Sequence, residues 1–134
     1  MTRSGLAIFV GLLAFGCRSA PLAGSAWVAE EIDGHGVLAG VRSTLVFQSA
    51  ERAVGSAGCN HWFASLKLSG TALRFERAGA TRMACAPPAM EQESRFLSAL
   101  EAVRSYRLEE GTLWLLDESR AERLRLTRTT ADAP

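Results

Sequence analysis

Short segments in which apolar and polar residues alternate dominate the chain from Trp27 onward. Leu66 and Leu68 alternate with polar residues, for example, and Leu73 and Phe75 repeat the pattern. A period of two is typical of a β-strand that buries one of its faces. The predicted strands lie within residues 27–32, 36–41, 43–48, 52–58, 59–70, 71–77, 105–109, 112–117 and 122–126.

One stretch of the chain has the period of a helix instead. Its apolar residues recur at spacings of three, four and seven, which places them on one helix face. Two prolines, Pro87 and Pro88, stand at its start, where the missing N–H of proline is not needed. The predicted apolar face consists of Met90, Phe96, Leu97, Leu100 and Val103.

These elements predict a mainly β domain with one helix, in the α+β class. About eight short, mostly antiparallel strands protect their edges best by forming a small closed or partly open barrel. The helix is expected to pack on one side or at one end of that barrel. Six aromatic residues are expected to fill the interior: Trp27, Phe47, Trp62, Phe63, Phe75 and Trp114.

The composition is that of a single globular domain. The chain has 134 residues, of which 48% are hydrophobic and 22% are charged. Its formal net charge of +1 excludes the basic surface with which proteins bind nucleic acid. The folded domain is predicted over residues 25–127. Residues 128–134 carry no large apolar side chain and are expected to be disordered.

The N-terminus has the features of a secretory signal peptide over residues 1–16. A positive charge at Arg3 precedes an apolar run of eleven residues, from Gly5 to Phe15. A membrane-spanning helix needs about 20 apolar residues, so this run is too short to cross a bilayer.

The apolar run ends in four residues, Ala14 to Cys17, that resemble a bacterial lipobox. In a lipobox the cysteine receives a diacylglyceryl group, so the resemblance implies a lipid anchor at Cys17 and a lipidated tether over residues 17–24. Two acyl chains hold a protein stably on a membrane. Arg18 replaces the aspartate that retains lipoproteins in the inner membrane, which favours the outer membrane, facing the periplasm. The alternative is a secreted protein cleaved after a nearby alanine.

Cys59 and Cys85 are the two cysteines that remain once Cys17 is assigned to a lipid. In an oxidising compartment an even number of cysteines tends to pair, so a disulfide between them is the favoured interpretation. Two free buried thiols and a metal site that includes His61 stay open as alternatives. Zinc needs three or four ligands, and neither CxxC nor paired-histidine spacing is present, so no metal or other cofactor is expected.

Three motifs follow one another along the chain: Gly-Ser-Ala-Gly-Cys-Asn at residues 55–60, Thr-Arg-Met-Ala-Cys at residues 81–85, and Met-Glu-Gln-Glu at residues 90–93. Their order and spacing resemble the META-domain family, which includes the heat-shock HslJ-like lipoproteins of bacteria. The resemblance covers residues 27–126. It implies a small β-rich domain, usually on an exported protein, with no established catalytic or ligand-binding residues.

Two further pairs of residues are candidates for specific roles. Arg82 is expected to form a structural ion pair with a carboxylate of the adjoining helix, Glu91 or Glu93. Glu91 is the favoured partner, because it is expected in the first turn, where the helix dipole favours a carboxylate. Recognition of an anionic ligand by Arg82 is the alternative. His61 and Trp62 form a possible binding surface, although aromatic residues in a strand more often line a barrel wall.

Motifs of common enzyme classes are missing from the sequence. There is no GxSxG elbow, Walker motif or dinucleotide-binding glycine motif, so an enzyme is not expected. The predicted function is that of a non-enzymatic envelope lipoprotein, which supports envelope integrity or stress tolerance through contacts with an envelope protein. Its other partner would be the membrane. The alternative is a small-molecule carrier or sensor, which would need a cavity of about 300 Å³ or more.

Overall fold

The computed structural model describes Gly11 and residues 22–130. The predicted signal peptide (apart from Gly11), Cys17 and residues 131–134 of the predicted tail lie outside the described residues. Within them the chain forms nine strands and one helix. In chain order these are β1 (Ala26–Ile32), β2 (His35–Gly36), β3 (Thr44–Phe47), β4 (Arg52–Ser56), β5 (His61–Ser69), β6 (Ala72–Ala80), α1 (Pro87–Ala102), β7 (Ser105–Glu109), β8 (Thr112–Leu116) and β9 (Glu122–Thr129).

The strands pair antiparallel and close into a ring, which confirms the predicted α+β, barrel-like fold. The order is β2-β1-β3-β4-β5-β6-β7-β8-β9, and β9 pairs back onto β1. The short strand β2 forms a hairpin with the second half of β1 through Asp33 and Gly34, both at positive φ. The shortest strand pairing in the ring is that of β6 with β7, which share one residue pair, Ala72–Ser105. Helix α1 connects these two strands.

Side chains from the strands and from one face of α1 fill the interior of the ring. Phe96, Ala99 and Leu100 of α1 are buried among the inward residues of the strands. The ring of Trp62 packs edge-on against Phe96 and Phe75, with centroid distances of 5.9 and 6.0 Å. Burial of such large side chains is the main favourable contribution to folding.

Two of the six aromatic residues expected in the interior lie on the outer surface. Phe63 is 44% exposed, and Trp114 is half-buried. Neighbouring side chains on a strand point to opposite faces, so Phe63 must point outward because Trp62 points inward. Each outward ring lies beside an arginine instead: Arg52 is 5.9 Å from the centroid of Phe63, and Arg107 is 4.5 Å from that of Trp114.

The folded domain is longer at both ends than predicted. Leu22, assigned to the tether, is fully buried. Strand β9 continues to Thr129, which pairs with Ala26, although residues 128 and 129 were expected to be disordered. Main-chain pairing does not require apolar side chains, so composition alone could not show this extension. Arg128 lies 5.0 Å from the ring centroid of Trp27.

The absence of a side chain at Gly55 allows β4 to approach β3 closely. A Cβ atom at this position would lie 2.1 Å from the carbonyl oxygen of Thr44 and 2.9 Å from the indole nitrogen of Trp62. That indole N–H donates a hydrogen bond of 3.0 Å to the same carbonyl. Gly55 therefore makes room for the one polar contact of a buried tryptophan.

We expect Gly55→Ala to lower the free energy of unfolding by about 1–3 kcal/mol, because the added methyl group overpacks a rigid site. Gly36→Ala is the matched control, since a Cβ at Gly36 would meet nothing within 4 Å. The control should change stability by less than about 0.5 kcal/mol. Urea unfolding of both variants measures the difference, and equal stabilities would contradict the close approach.

Candidate functional site

The carboxylate of Glu93 on α1 is the centre of a buried polar cluster. Glu93 is only 6% exposed. Its oxygen atoms accept hydrogen bonds from the backbone N–H of Cys59 (3.1 Å), the backbone N–H of Asn60, and the side-chain amide of Asn60 (2.8 Å). A buried carboxylate is costly unless donors surround it, so this cluster fixes residues 58–60, here named the GCN turn, against the helix.

Gly58 allows the GCN turn to lie directly on the helix. Its φ is +144°, a value that favours glycine. A Cβ atom there would lie 3.2 Å from the carbonyl oxygen of Ala89 and 3.4 Å from Glu93. The glycine before Cys59 in the second half of the first motif is therefore explained by contact with the helix.

Asn60 extends the cluster to residues 81–86, here named the strap, which connect β6 to α1. Its side-chain oxygen accepts hydrogen bonds from the Met83 N–H (2.6 Å) and the Thr81 hydroxyl (2.9 Å). Its amide nitrogen donates to the Met83 carbonyl (3.2 Å) and to Glu93. The side chain is 2% exposed and makes all four of its hydrogen bonds, so it holds the strap in one position.

A disulfide is the second link between the GCN turn and the strap, after the hydrogen bonds of Asn60. Cys59 and Cys85 are bonded, with a Cα–Cα distance of 6.1 Å and a sequence separation of 26. This is the pairing favoured by the sequence. Cys59 is half-buried and Cys85 is exposed, so the bond lies at the surface of the domain.

Gln92, the neighbour of Glu93 on α1, fixes a different loop. Its carbonyl oxygen accepts from the Leu38 N–H (2.8 Å), and its amide donates to the Val41 carbonyl (3.1 Å) and the Ser43 hydroxyl (3.0 Å). Ser43 in turn donates to the carbonyl of Ala57 (2.9 Å). Among the described residues, every buried side-chain nitrogen and oxygen has a hydrogen-bond partner.

The side chains of the strap are exposed, although its backbone, the Thr81 hydroxyl and Cys85 attach it to the domain. All six residues of the strap are exposed, and so are Pro87 and Pro88. Met83 is 52% exposed, which makes it one of three large apolar side chains at the surface of the described domain, with Leu38 and Phe63. The strap is therefore a fixed, solvent-facing segment that displays Arg82 and Met83.

The expected ion pair between Arg82 and Glu91 is not formed. The salt bridges among residues 22–130 involve Arg107, Arg123 and Arg125, and Arg82 is in none of them. Glu91 is exposed, on the side of α1 that faces the β1–β2 hairpin. The carboxylate that connects the helix to this region is Glu93, and it contacts the GCN turn rather than the strap arginine.

The prediction of a binding surface at His61 and Trp62 is wrong for Trp62. Trp62 is 1% exposed and belongs to the core, so it cannot contact a ligand from solution. His61 is exposed, and its backbone exchanges hydrogen bonds with Thr81 at the start of the strap. The exposed aromatic residue of this strand is Phe63, two residues further along.

Sequence reasoning missed Gln92 as a site residue and considered Glu93 only as a possible partner of Arg82. They are polar, so they were not counted with the apolar face of the helix. Their spacing nevertheless places them on it, because Phe96 follows Gln92 by four residues and Glu93 by three. Polar residues in phase with an apolar helix face are a signal for buried polar contacts.

The described residues lack the features of a metal site and of a membrane-spanning helix. They contain no group of three or more His, Cys, Asp and Glu side chains that could hold a metal ion. No helix in this part of the chain is long and apolar enough to span a membrane. A cleft of about 120 Å³ lies between the β1–β2 hairpin and α1, and His35, Leu38 and Arg95 are among the residues that line it.

The turn, the strap and the helix all lie in the part of the chain that matches a known family. A family model of the META domain matches residues 20–131, which include all three segments. The chain belongs to the META domain family. The match also includes Leu22 and Thr129, in agreement with the extended boundaries of this META domain.

Solved structures share the fold of this META domain. An NMR structure of a protein from Burkholderia xenovorans is 27% identical, with a TM-score of 0.65 over 81% of this chain and 84% of that chain. A second NMR structure is 26% identical, with a TM-score of 0.62 over 83% of this chain and 92% of that chain. A crystal structure of a DUF4847 family protein from Bacteroides vulgatus ATCC 8482 shares the fold at 12% identity, with a TM-score of 0.56 and coverages of 84% and 97%. No curated protein was found to match.

We expect Glu93→Gln to destabilise the META domain by about 1–3 kcal/mol, because the new amide group would face the N–H donors of the GCN turn. Glu91→Gln on the exposed side of the same helix is the control and should cost less than about 0.5 kcal/mol. Thermal unfolding of the oxidised protein measures both. A Glu93→Gln variant as stable as the control would show that the cluster is dispensable.

Loss of the disulfide should also destabilise the domain. Closure of a loop of 26 residues restricts the unfolded chain by about 3–4 kcal/mol in the chain-entropy description. We expect Cys59→Ser and Cys85→Ser to lose similar amounts of stability. Mass mapping of the native protein without reductant should recover the linked peptides. Recovery of both thiols in the free form would refute the bond.

Proposed function

We propose that this protein is a non-enzymatic lipoprotein of the bacterial cell envelope, which supports envelope integrity or stress tolerance through contact with another envelope protein. The N-terminal sequence supports export and anchoring, because a signal-peptide-like run leads directly into a lipobox-like Cys17. Anchoring would place the META domain at a membrane surface, where its partners are other envelope components.

The filled interior supports a role for the outer surface rather than for a ligand inside the barrel. Trp27, Phe47, Trp62 and Phe96 occupy the interior, and each is less than 2% exposed. The cleft beside α1, at about 120 Å³, is smaller than the roughly 300 Å³ at which small-molecule sites begin. The larger spaces, about 520 Å³ beside Lys67 and about 310 Å³ beside Arg104, are open depressions at the surface rather than an enclosed cavity. These volumes weigh against the alternative of a carrier or sensor barrel.

The strap is the observation that carries the proposal. Two buried residues, Asn60 and Glu93, and a disulfide hold a segment whose own side chains add nothing to the core. A surface that is already fixed loses little conformational entropy when it binds, which favours affinity. The flexible thioether of Met83 suits an apolar pocket, and Arg82 beside it suits an acidic group. We therefore assign the strap as the surface that contacts the partner.

The lipid anchor has a direct test. The mature protein should partition into the detergent phase when membranes are dissolved and phase-separated. Cys17→Ser should release the protein into the aqueous phase or leave the signal peptide uncleaved, because the acylated side chain is lost. The same aqueous behaviour for both forms would refute the anchor.

The contact surface is tested by photocrosslinking in intact cells. A photoreactive amino acid at position 83 should yield a discrete protein adduct, and Arg82→Glu should reduce its amount, because the acidic group of the partner would then be repelled. The matched control is the exposed position 110 in the β7–β8 turn, which should yield no such adduct. Equal labelling from both positions, or none from position 83, would contradict the assignment of the strap.

A further inference from the structure

A row of apolar side chains crosses the outer surface of four adjacent strands. Ala26, Val46, Val54 and Phe63 are successive register partners on β1, β3, β4 and β5. Directly opposed residues of antiparallel strands project to the same side, so the four side chains share one face. Ala26 is only 4% exposed, Val46 and Val54 are half-buried and Phe63 is 44% exposed, so exposure rises along the row toward Phe63. These four residues are named the apolar row.

Phe63 is held in place at the far end of the apolar row. Gly79 is its partner on β6, and the ring of Phe63 lies over this glycine, because a Cβ there would be 2.5 Å from the ring. The guanidinium group of Arg52 lies 5.9 Å from the ring centroid. Surfaces that bind at a membrane–water interface place Trp, Phe or Leu at the apolar boundary and Lys or Arg beside the headgroups.

Three cations lie on the same outer face, beside the apolar row or further along its strands. Arg52, Lys67 and Arg74 are exposed there, together with two carboxylates: Glu76 lies opposite Ser65, and Glu51 borders one surface depression with Lys67 and Glu76. None of the three cations forms an ion pair within the described residues. They are therefore free to interact with anionic headgroups.

The other end of the apolar row lies where the chain enters the domain. The Gly24 N–H donates to the Phe47 carbonyl (2.7 Å), and the Phe47 N–H donates to the Ser25 carbonyl (2.9 Å), so the entering segment lies beside β3. Leu22 is fully buried, and only four residues separate it from Cys17. The five residue steps from Cys17 to Leu22 span at most about 18 Å when fully extended. At about 4.8 Å between strands, Phe63 lies about 14 Å across the sheet from Ala26.

We propose that the apolar row and its cations are the face with which the domain rests on an anionic phospholipid bilayer. Phe63 and Val54 would meet the boundary between headgroups and acyl chains, and Arg52 would meet phosphate. The short tether brings this face within reach of the membrane that holds Cys17. This inference rests on the lipid anchor of the proposed function.

The test uses the full-length protein in its native membrane. The photoreactive amino acid p-benzoylphenylalanine replaces Phe63 in one variant and Trp114 in the control. Trp114 is a matched position, since it is also an outward aromatic residue beside an arginine, but on β8. After irradiation, mass spectrometry should find several-fold more phospholipid adduct at position 63 than at position 114. In the Phe63 variant, Arg52→Glu should lower the adduct several-fold and Arg107→Glu should not.

Detergent partitioning of the same samples separates the two proposals. Normal partitioning with equal phospholipid adducts at positions 63 and 114, or with protein adducts alone at position 63, would overturn the docking face and leave the anchor intact. Partitioning into the aqueous phase would overturn the anchor, and the docking face with it. Normal partitioning with an adduct that depends on Arg52 supports the docking face.

Discussion

The buried carboxylate of Glu93 is the constraint on which the organisation of this domain depends. A carboxylate that is 6% exposed must be surrounded by donors, and three N–H groups of Cys59 and Asn60 meet that requirement. Asn60 then has its side chain fixed and uses it to hold Met83. The three motifs of the sequence are thus one structural unit, in which the helix fixes the turn and the turn fixes the strap.

The same contacts also set the position of helix α1. It follows β6 and precedes β7, two strands that share a single residue pair. Glu93 fixes the helix to the GCN turn on one side, and Gln92 fixes it to the loop before β3 on the other. Phe96 and Leu100 then lie in the core, and the apolar face of the helix completes the interior. Polar contacts thus set where the helix lies, and apolar burial stabilises it there.

Much of the fold could be predicted from the sequence because one face of each main strand is buried. Alternation located those strands, and the 3.6-residue period located α1 at Pro87–Ala102. The direction in which each aromatic side chain points was harder to predict. Hydrophobicity alone does not say which of two adjacent aromatic residues points inward. The side chain of Trp62 is buried in the core, so that of the adjacent Phe63 lies on the outer surface.

The candidate site was only partly predictable, because its main contacts join residues more than twenty positions apart. The cysteine pair follows from composition and compartment, but the partner of a buried carboxylate depends on tertiary structure. Arg82 was assigned to Glu91 by proximity in sequence, whereas Glu93 binds Asn60, 33 residues away. Tertiary contacts of this kind leave a trace in the sequence only as polar residues in phase with an apolar helix face.

Hydrogen exchange of the Met83 backbone amide tests the central claim most directly. This amide belongs to an exposed residue, and its N–H donates to Asn60. If Glu93 holds the strap through Asn60, the amide is protected from exchange in the oxidised native protein. In Glu93→Gln the protection of the Met83 amide falls, whereas the Leu115 amide in the barrel wall remains protected from exchange. An unprotected Met83 amide in the native protein, or one whose exchange is the same in Glu93→Gln, would contradict the account.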